Sequence, residues 1–257
     1  MNSLRELVAA RDIVLALVWR EVRARYRGSF LGFLWTLLNP LMFMGIYSLV
    51  FTVYLRIEMA AYPVFLFTGL LPWTWFSSAL VSGASSVIEG SSLVKRVAFP
   101  PLILPTVVVT ANLVNFLLGL PLLVLFMIGF RVHLTWAILT LPVAMAIQYV
   151  FTLALAVILA MFTTRYRDLQ HLLGNFITLW FFVTPILYPH PMVPASFHSL
   201  LLVNPMTSII ALYQNALYYG RFPQVSVLLF GAGLSVVLFA LALWVYARWR
   251  WVVVEEV

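Results

Sequence analysis

The chain has 257 residues, of which 64% are hydrophobic and only 9% charged, with a mean hydropathy of +1.04. Soluble domains carry about 25% charged residues, so the composition excludes an ordinary soluble enzyme and indicates a polytopic membrane protein. A net charge of +7 and a pI of 10.0 would suggest a nucleic-acid binder in a soluble chain; beside apolar spans, the basic residues speak for membrane orientation and anionic lipid headgroups, and no nucleic-acid partner is expected.

In chain order, Leu4, Leu7, Val8, Val14, Leu15, Val18 and Val22 form a helical stripe that Arg11 interrupts. Its longest apolar run, Ile13 to Trp19, is too short to cross a bilayer. Residues 1–28 therefore read as an amphipathic helix on the inner membrane surface, or as a short cytoplasmic helix packed on a partner. No signal peptide is expected, because residues 1–19 lack the basic start, apolar core and small-residue cleavage site.

Residues 29–257 read as a six-span domain. The first span, about 29–55, follows Arg20, Arg23, Arg25 and Arg27 and carries Asn39-Pro40, which should kink it. Tyr26, Phe30, Phe33, Leu37, Pro40, Met44, Tyr47, Phe51 and Tyr54 recur at steps of three and four and so share one helical face. By spacing alone that face is either a helix packing seam or an aromatic wall. The second span, about 63–87, ends in small residues (Ser77, Ser78, Ser82, Gly83, Ser85, Ser86) suited to close helix contact. A polar break at 88–101 has room for a short helix, and spans follow at about 102–130, 136–162 and 172–188. Residues 189–223 are punctuated by prolines and read as two short outer or re-entrant helices within 196–219, before a last span at about 225–247. With both termini inside, the cytoplasmic segments hold Arg5, Arg11, Arg20, Arg23, Arg25, Arg27, Lys95, Arg96, Arg165, Arg167, Arg248 and Arg250. The outer loops hold only Arg56, Arg131 and Arg221, as the positive-inside rule requires.

What the chain lacks narrows its chemistry. Lys95 is the only lysine and follows Val94, so a GxxxxGK[ST] phosphate loop cannot be formed. There is no cysteine and no HExxH; the histidines fall in loops or at their edges, and no metal site or catalytic residue is expected. All eight carboxylates lie outside the mapped spans, unlike those of a proton- or sodium-coupled carrier. Directed work by this chain would need energy from another subunit.

The segments WTLLNPL (35–41), LPWTWFSSAL (71–80), LVKRVAFPPLILP (93–105), YRDLQHLL (166–173), TPILYP (184–189) and NPMTSIIALYQNALYYG (204–220) follow one another in an order that resembles the type-2 ABC exporter permeases for polysaccharide. The likeness spans nearly the whole chain and is nearest to the O-antigen branch. It implies an all-α exporter fold in the bacterial inner membrane, a second copy of the chain, two separate ATPase subunits holding ATP and magnesium, no cofactor in this chain, and a lipid-linked polysaccharide as cargo. It makes 88–101 a coupling helix with Glu89, Lys95 and Arg96 as ATPase contacts, and makes 196–219 an outer gate with Phe197, Leu201, Tyr213, Tyr218 and Tyr219. Sugar rings stack their C–H faces on aromatic side chains, so Phe30, Phe33, Tyr47, Phe51, Tyr54, Phe176, Trp180 and Tyr188 are the candidate channel wall. The alternatives are an exporter of the same architecture for capsule polysaccharide, teichoic acid or a small lipid or drug, a membrane enzyme of glycan assembly, and a passive channel.

Overall fold

In a computed structural model, residues 10–28, 30, 32–97 and 99–256 are described. The first nine residues of the expected interface helix, and the side chains of Phe33 and Arg96, lie outside the described set. Among the described residues every regular element is helical: α1 (Arg11–Tyr26), α2 (Trp35–Ser48, continued with π-helical spacing over Leu49–Tyr54), α3 (Tyr62–Glu89), α4 (Ser91–Val97), α5 (Ile103–Gly129), α6 (Leu141–Arg165), α7 (Leu169–Val183), α8 (His198–Val203), α9 (Pro205–Tyr213, π-helical over Gln214–Tyr218) and α10 (Val225–Glu256).

Among the described residues, four helices are long and apolar enough to cross a membrane: Tyr62–Glu89, Ile103–Gly129, Trp136–Arg165 and Val225–Val252. The pieces Ala195–Val203 and Pro205–Tyr218 meet at 91° and count as a fifth span only if a bent pair is one crossing. The helices at the expected first and fifth spans are shorter, Leu38–Tyr54 and Leu169–Val183. Each shortening has a local cause. Gly28 and Gly32 take φ of +80° and +48°, so an elbow that favours glycine separates α1 from α2. At the other end, Pro185 forces Thr184 out of the helical region, to φ −93° and ψ 133°, and α7 stops there. α2 continues through Pro40, and its ladder widens at Leu49–Tyr54, where Leu55 N–H reaches the Val50 carbonyl at 2.9 Å.

α3 is the central helix. Phe65, Phe67, Trp73, Trp75, Phe76 and Leu80 point to different sides of it and are all buried, as expected of a helix apolar all round. α5 and α6 flank it, and α10 lies outside against α6. Buried side-chain amides stitch these helices at proline positions. Gln148 on α6 donates to the Pro72 carbonyl at 2.8 Å, and Gln214 on α9 donates to the Pro185 carbonyl at 3.1 Å. Tyr62 holds the adjoining Leu187 carbonyl at 2.8 Å. The non-helical stretch 184–187 is thus buried in protein, the setting in which irregular backbone is tolerated at depth. α1 packs alongside the first turns of α5, with Val18 and Val22 against Ile103, Val107 and Ala111. Part of the stripe that the sequence assigns to the membrane surface is therefore used within the chain.

The small-residue end of α3 makes the close approach its composition suggests. A Cβ on Gly83 would come within 2.9 Å of the Ala156 Cβ on α6. Gly83→Leu is therefore expected to cost about 1–3 kcal/mol by overpacking, read as a lowered melting temperature in detergent. Gly233→Leu on α10, where a Cβ would meet nothing within 4 Å, should leave it unchanged; equal melting of both variants would sink this account of the α3–α6 crossing.

Candidate functional site

A cleft of about 510 Å³ opens between α2, α3 and α7. α2 contributes Asn39, Pro40, Phe43 and Tyr47; α3 contributes Trp73, Thr74, Ser77 and Ser78; α7 contributes Ile177, Thr178, Phe181 and Phe182. The helical repeat explains the set, since positions i, i+1, i+4 and i+5 share a face. The wall combines rings with hydroxyls and one amide and carries no charged residue.

The rings form a connected ladder. Phe43 stacks on Tyr47 at 6.2 Å between centroids, Tyr47 meets Phe181 at 6.0 Å, and Phe181 meets Trp73 at 5.5 Å. Trp180 then meets Trp73 edge-on at 6.4 Å, Phe76 at 5.3 Å and Phe176 at 5.3 Å. Edge and offset contacts of this kind contribute about 0.5–1.5 kcal/mol each beyond area burial, so the ladder fixes α7 against α3.

Trp180 also carries the outer segment. Its indole N–H donates to Asn204 Oδ1 at 2.8 Å, and Asn204 Nδ2 donates to Thr184 Oγ1 at 3.0 Å. The same Asn204 Oδ1 accepts Met206 N–H at 3.0 Å and so caps α9 just beyond the α8–α9 bend. One buried amide therefore joins the aromatic ladder to the bend.

The expected wall residues divide between several environments. Tyr47 lines the cleft. Phe51 stacks on buried Tyr62 at 5.8 Å, a helix seam. Phe30 and Tyr54 are exposed, and Phe176 is 55% exposed beside Trp180 rather than in the cleft lining. Tyr188 lies beyond α7 and donates to the Phe182 carbonyl at 2.7 Å. Phe43, Trp73, Phe181 and Phe182 were not singled out from the sequence. The available signal was the phase of α7, where 177, 178, 181 and 182 make a face one step round from 176 and 180.

Of the expected gate residues, Phe197 is exposed, whereas Leu201 and Tyr213 are buried. Tyr213 has no exposed surface and packs edge-on against Phe116 of α5 at 5.7 Å, so it belongs to the core of the chain. Tyr218 donates to the Ala60 carbonyl and meets Tyr219 edge-on at 4.9 Å. Arg221 lies over the Tyr219 ring at 4.8 Å. Burial pushes the Tyr219 hydroxyl up from its ordinary value, and the Arg221 charge pulls the other way. At the opposite end, Glu89 closes α3, and Lys95 projects from α4; both are exposed, while Val94 between them and the bundle is buried.

An all-helical membrane chain with an uncharged, ring-lined cleft and no nucleotide-binding loop is built as a transport subunit. The model of the ABC-2 type transporter family matches residues 13–218, and the chain belongs to that family. It is 46% identical over 240 residues to the O-antigen export system permease protein RfbA of Myxococcus xanthus, covering 93% of this chain and 92% of that relative. It is 32% identical to the Klebsiella pneumoniae protein of the same name, over 85% of this chain and 86% of the relative. The polysialic acid transport protein KpsM of Escherichia coli is 25% identical over 80% of this chain and 81% of its own length.

The Asn204 network yields a specific expectation. Asn204→Leu leaves the Trp180 N–H without its acceptor, removes the donor to Thr184 Oγ1 and uncaps α9, a loss of about 1–3 kcal/mol. Limited proteolysis between 190 and 203 should accelerate in this variant, and the melting temperature should fall. Unchanged cleavage and melting would show that the bend is held by other contacts.

Proposed function

We propose that this chain is the permease subunit of an ATP-driven exporter that moves lipid-linked polysaccharide, most specifically O-antigen, from the cytoplasm across the bacterial inner membrane. Two copies would form the conduit and two separate ATPase subunits, with their ATP and magnesium, would drive it. The observation that carries the reading is the uncharged aromatic cleft between α2, α3 and α7 in a chain related to O-antigen export permeases. The resemblance to KpsM extends the cargo class to capsule-type polymers as the second choice.

The physical logic runs from the wall to the cargo. Rings accept the C–H faces of sugars, while Asn39, Thr74, Ser77, Ser78 and Thr178 offer hydroxyl and amide partners. Such contacts are weak and repeated, so a long chain can advance without being trapped. A fixed charge in the wall would hold an ionic polymer or repel it. α2 and α7 also expose Met42, Phe43, Ile46, Leu172, Phe176 and Leu179, an apolar surface that a second copy would cover, turning two half-clefts into one passage. In this reading α2 and α7 complete six spans, with both termini cytoplasmic. Glu89, Lys95 and Arg96 around α4 meet the ATPase, and the α8–α9 bend closes the outer end.

The test is surface polysaccharide in cells carrying this chain and its ATPase. Substituting the ATPase phosphate-loop lysine should abolish export. Phe43→Ala combined with Phe182→Ala, both on exposed parts of the cleft wall, should lower export roughly tenfold if each ring contributes about 0.5–1.5 kcal/mol. Export that persists without ATPase activity refutes the driving mechanism, and normal export by the double variant at wild-type protein levels refutes the wall.

A further inference from the structure

A second pocket, of about 310 Å³, lies on the other side of α2, enclosed by α1, α2, α3 and α5 within one chain. Its chemistry differs from that of the aromatic cleft. Arg25, from the last turn of α1, enters it beside Asn39, Ser78, Asn112 and Asn115. No aspartate or glutamate is among its lining residues. Arg25 Nη1 donates to Asn112 Oδ1 at 2.9 Å, and Asn112, only 3% exposed, gives its own Nδ2 to the Val108 carbonyl at 2.9 Å. Asn112 is therefore fixed and aims the guanidinium while leaving its charge unneutralised. A guanidinium has five N–H donors in a planar fork, so a bond from one nitrogen leaves room for two oxygens of an incoming anion.

Position matters as much as composition. Asn112 stands nine residues into α5, about 14 Å along the helix axis, and Val18 and Val22 seat α1 against the turns below it. Arg25 itself is exposed, and the buried Asn112 holds its guanidinium at the pocket. An exposed arginine pinned at one nitrogen by a buried amide keeps its other N–H groups available to a ligand. Trp35 borders the pocket and is 42% exposed, and its neighbours Phe30 and Leu34 are exposed as well. An apolar rim beside one cation and several amide and hydroxyl groups suits an anion attached to a hydrocarbon chain. A planar fork matched to paired oxygens suits phosphate.

We propose that this pocket binds the phosphate group of a membrane lipid, with Arg25 supplying the charge and Ser78 and Asn115 the flanking polar contacts. The proposal is independent of which polymer is exported. The lipid is either a bulk phospholipid or an isoprenoid diphosphate of the kind that carries glycans, because both present the same phosphate chemistry to Arg25.

The experiment is native mass spectrometry of the delipidated full-length chain in detergent, titrated in separate arms with phosphatidylglycerol, undecaprenyl diphosphate and diacylglycerol. One saturable adduct per chain is expected with one or both phosphate lipids, the tighter of them naming the source, and binding of diacylglycerol should be at least about tenfold weaker. Loss of a charge-assisted contact in Arg25→Gln should weaken the phosphate lipid about tenfold or more. Ser78→Ala should weaken it about threefold, and Arg131→Gln, in the loop beyond α5, should leave it unchanged. Millimolar inorganic diphosphate should not displace the lipid. Equal binding of diacylglycerol, displacement by inorganic diphosphate, or wild-type affinity in Arg25→Gln overturns the proposal. If Arg25→Gln does not fold, wild-type affinity in Ser78→Ala overturns it instead. No ATPase is present in the measurement, so the outcome is separable from the export test.

Discussion

A polar backbone group inside a membrane has no water to turn to, and this chain places prolines where that constraint is sharpest. Pro72 sits inside the central helix, Pro185 ends α7, and Pro205 opens α9 at the bend. A buried amide stands at each: Gln148 reaches the Pro72 carbonyl, Gln214 the Pro185 carbonyl, and the adjacent Asn204 caps the helix that Pro205 begins. A side-chain amide can donate and accept at once without a charge to desolvate. Pro185 ends one helix and Pro205 begins another, and Gln214 and Asn204 satisfy backbone groups at those interruptions, as an apolar core requires.

The aromatic cleft depends on this arrangement. Its α7 wall ends at Thr184 because of Pro185, and the backbone beyond is held by Gln214 and Tyr62. Trp180 is anchored through Asn204, so the ladder from Phe43 to Phe176 is continuous with the α8–α9 bend. A change in the angle of that bend would be felt directly at Trp180. The α8–α9 segment and the ring-lined wall are thus joined through one side chain. The permease reading needs such a connection if passage of cargo and closure of the exit are to be linked.

The two sites divide polar labour by charge. The cleft between α2, α3 and α7 is lined by uncharged residues. The pocket behind α2 is lined by one cation, Arg25. Asn39, Pro40, Thr74 and Ser78 border both, so α2 and the middle of α3 form the partition between them.

Composition and order of residues by themselves determined that this is a helical membrane chain, that it carries no phosphate loop, and that its motifs are those of the ABC-2 permeases. These follow from one-dimensional properties: hydropathy, charge spacing, and the absence of a glycine–lysine pattern. The close approach at Gly83 was also legible, since a run of small residues suits close helix contact. Helix lengths at the first and fifth spans were not legible, because an apolar run does not report where Gly28, Gly32 and Pro185 interrupt it. The tertiary structure alone decided which aromatics face the cleft. Periodicity fixes a face but not its direction, and Phe176 and Phe181 differ only in which neighbour α7 turns toward. It also put Tyr213 in the core and Arg25 on Asn112, pairings across 97 and 87 positions of chain that no local pattern encodes.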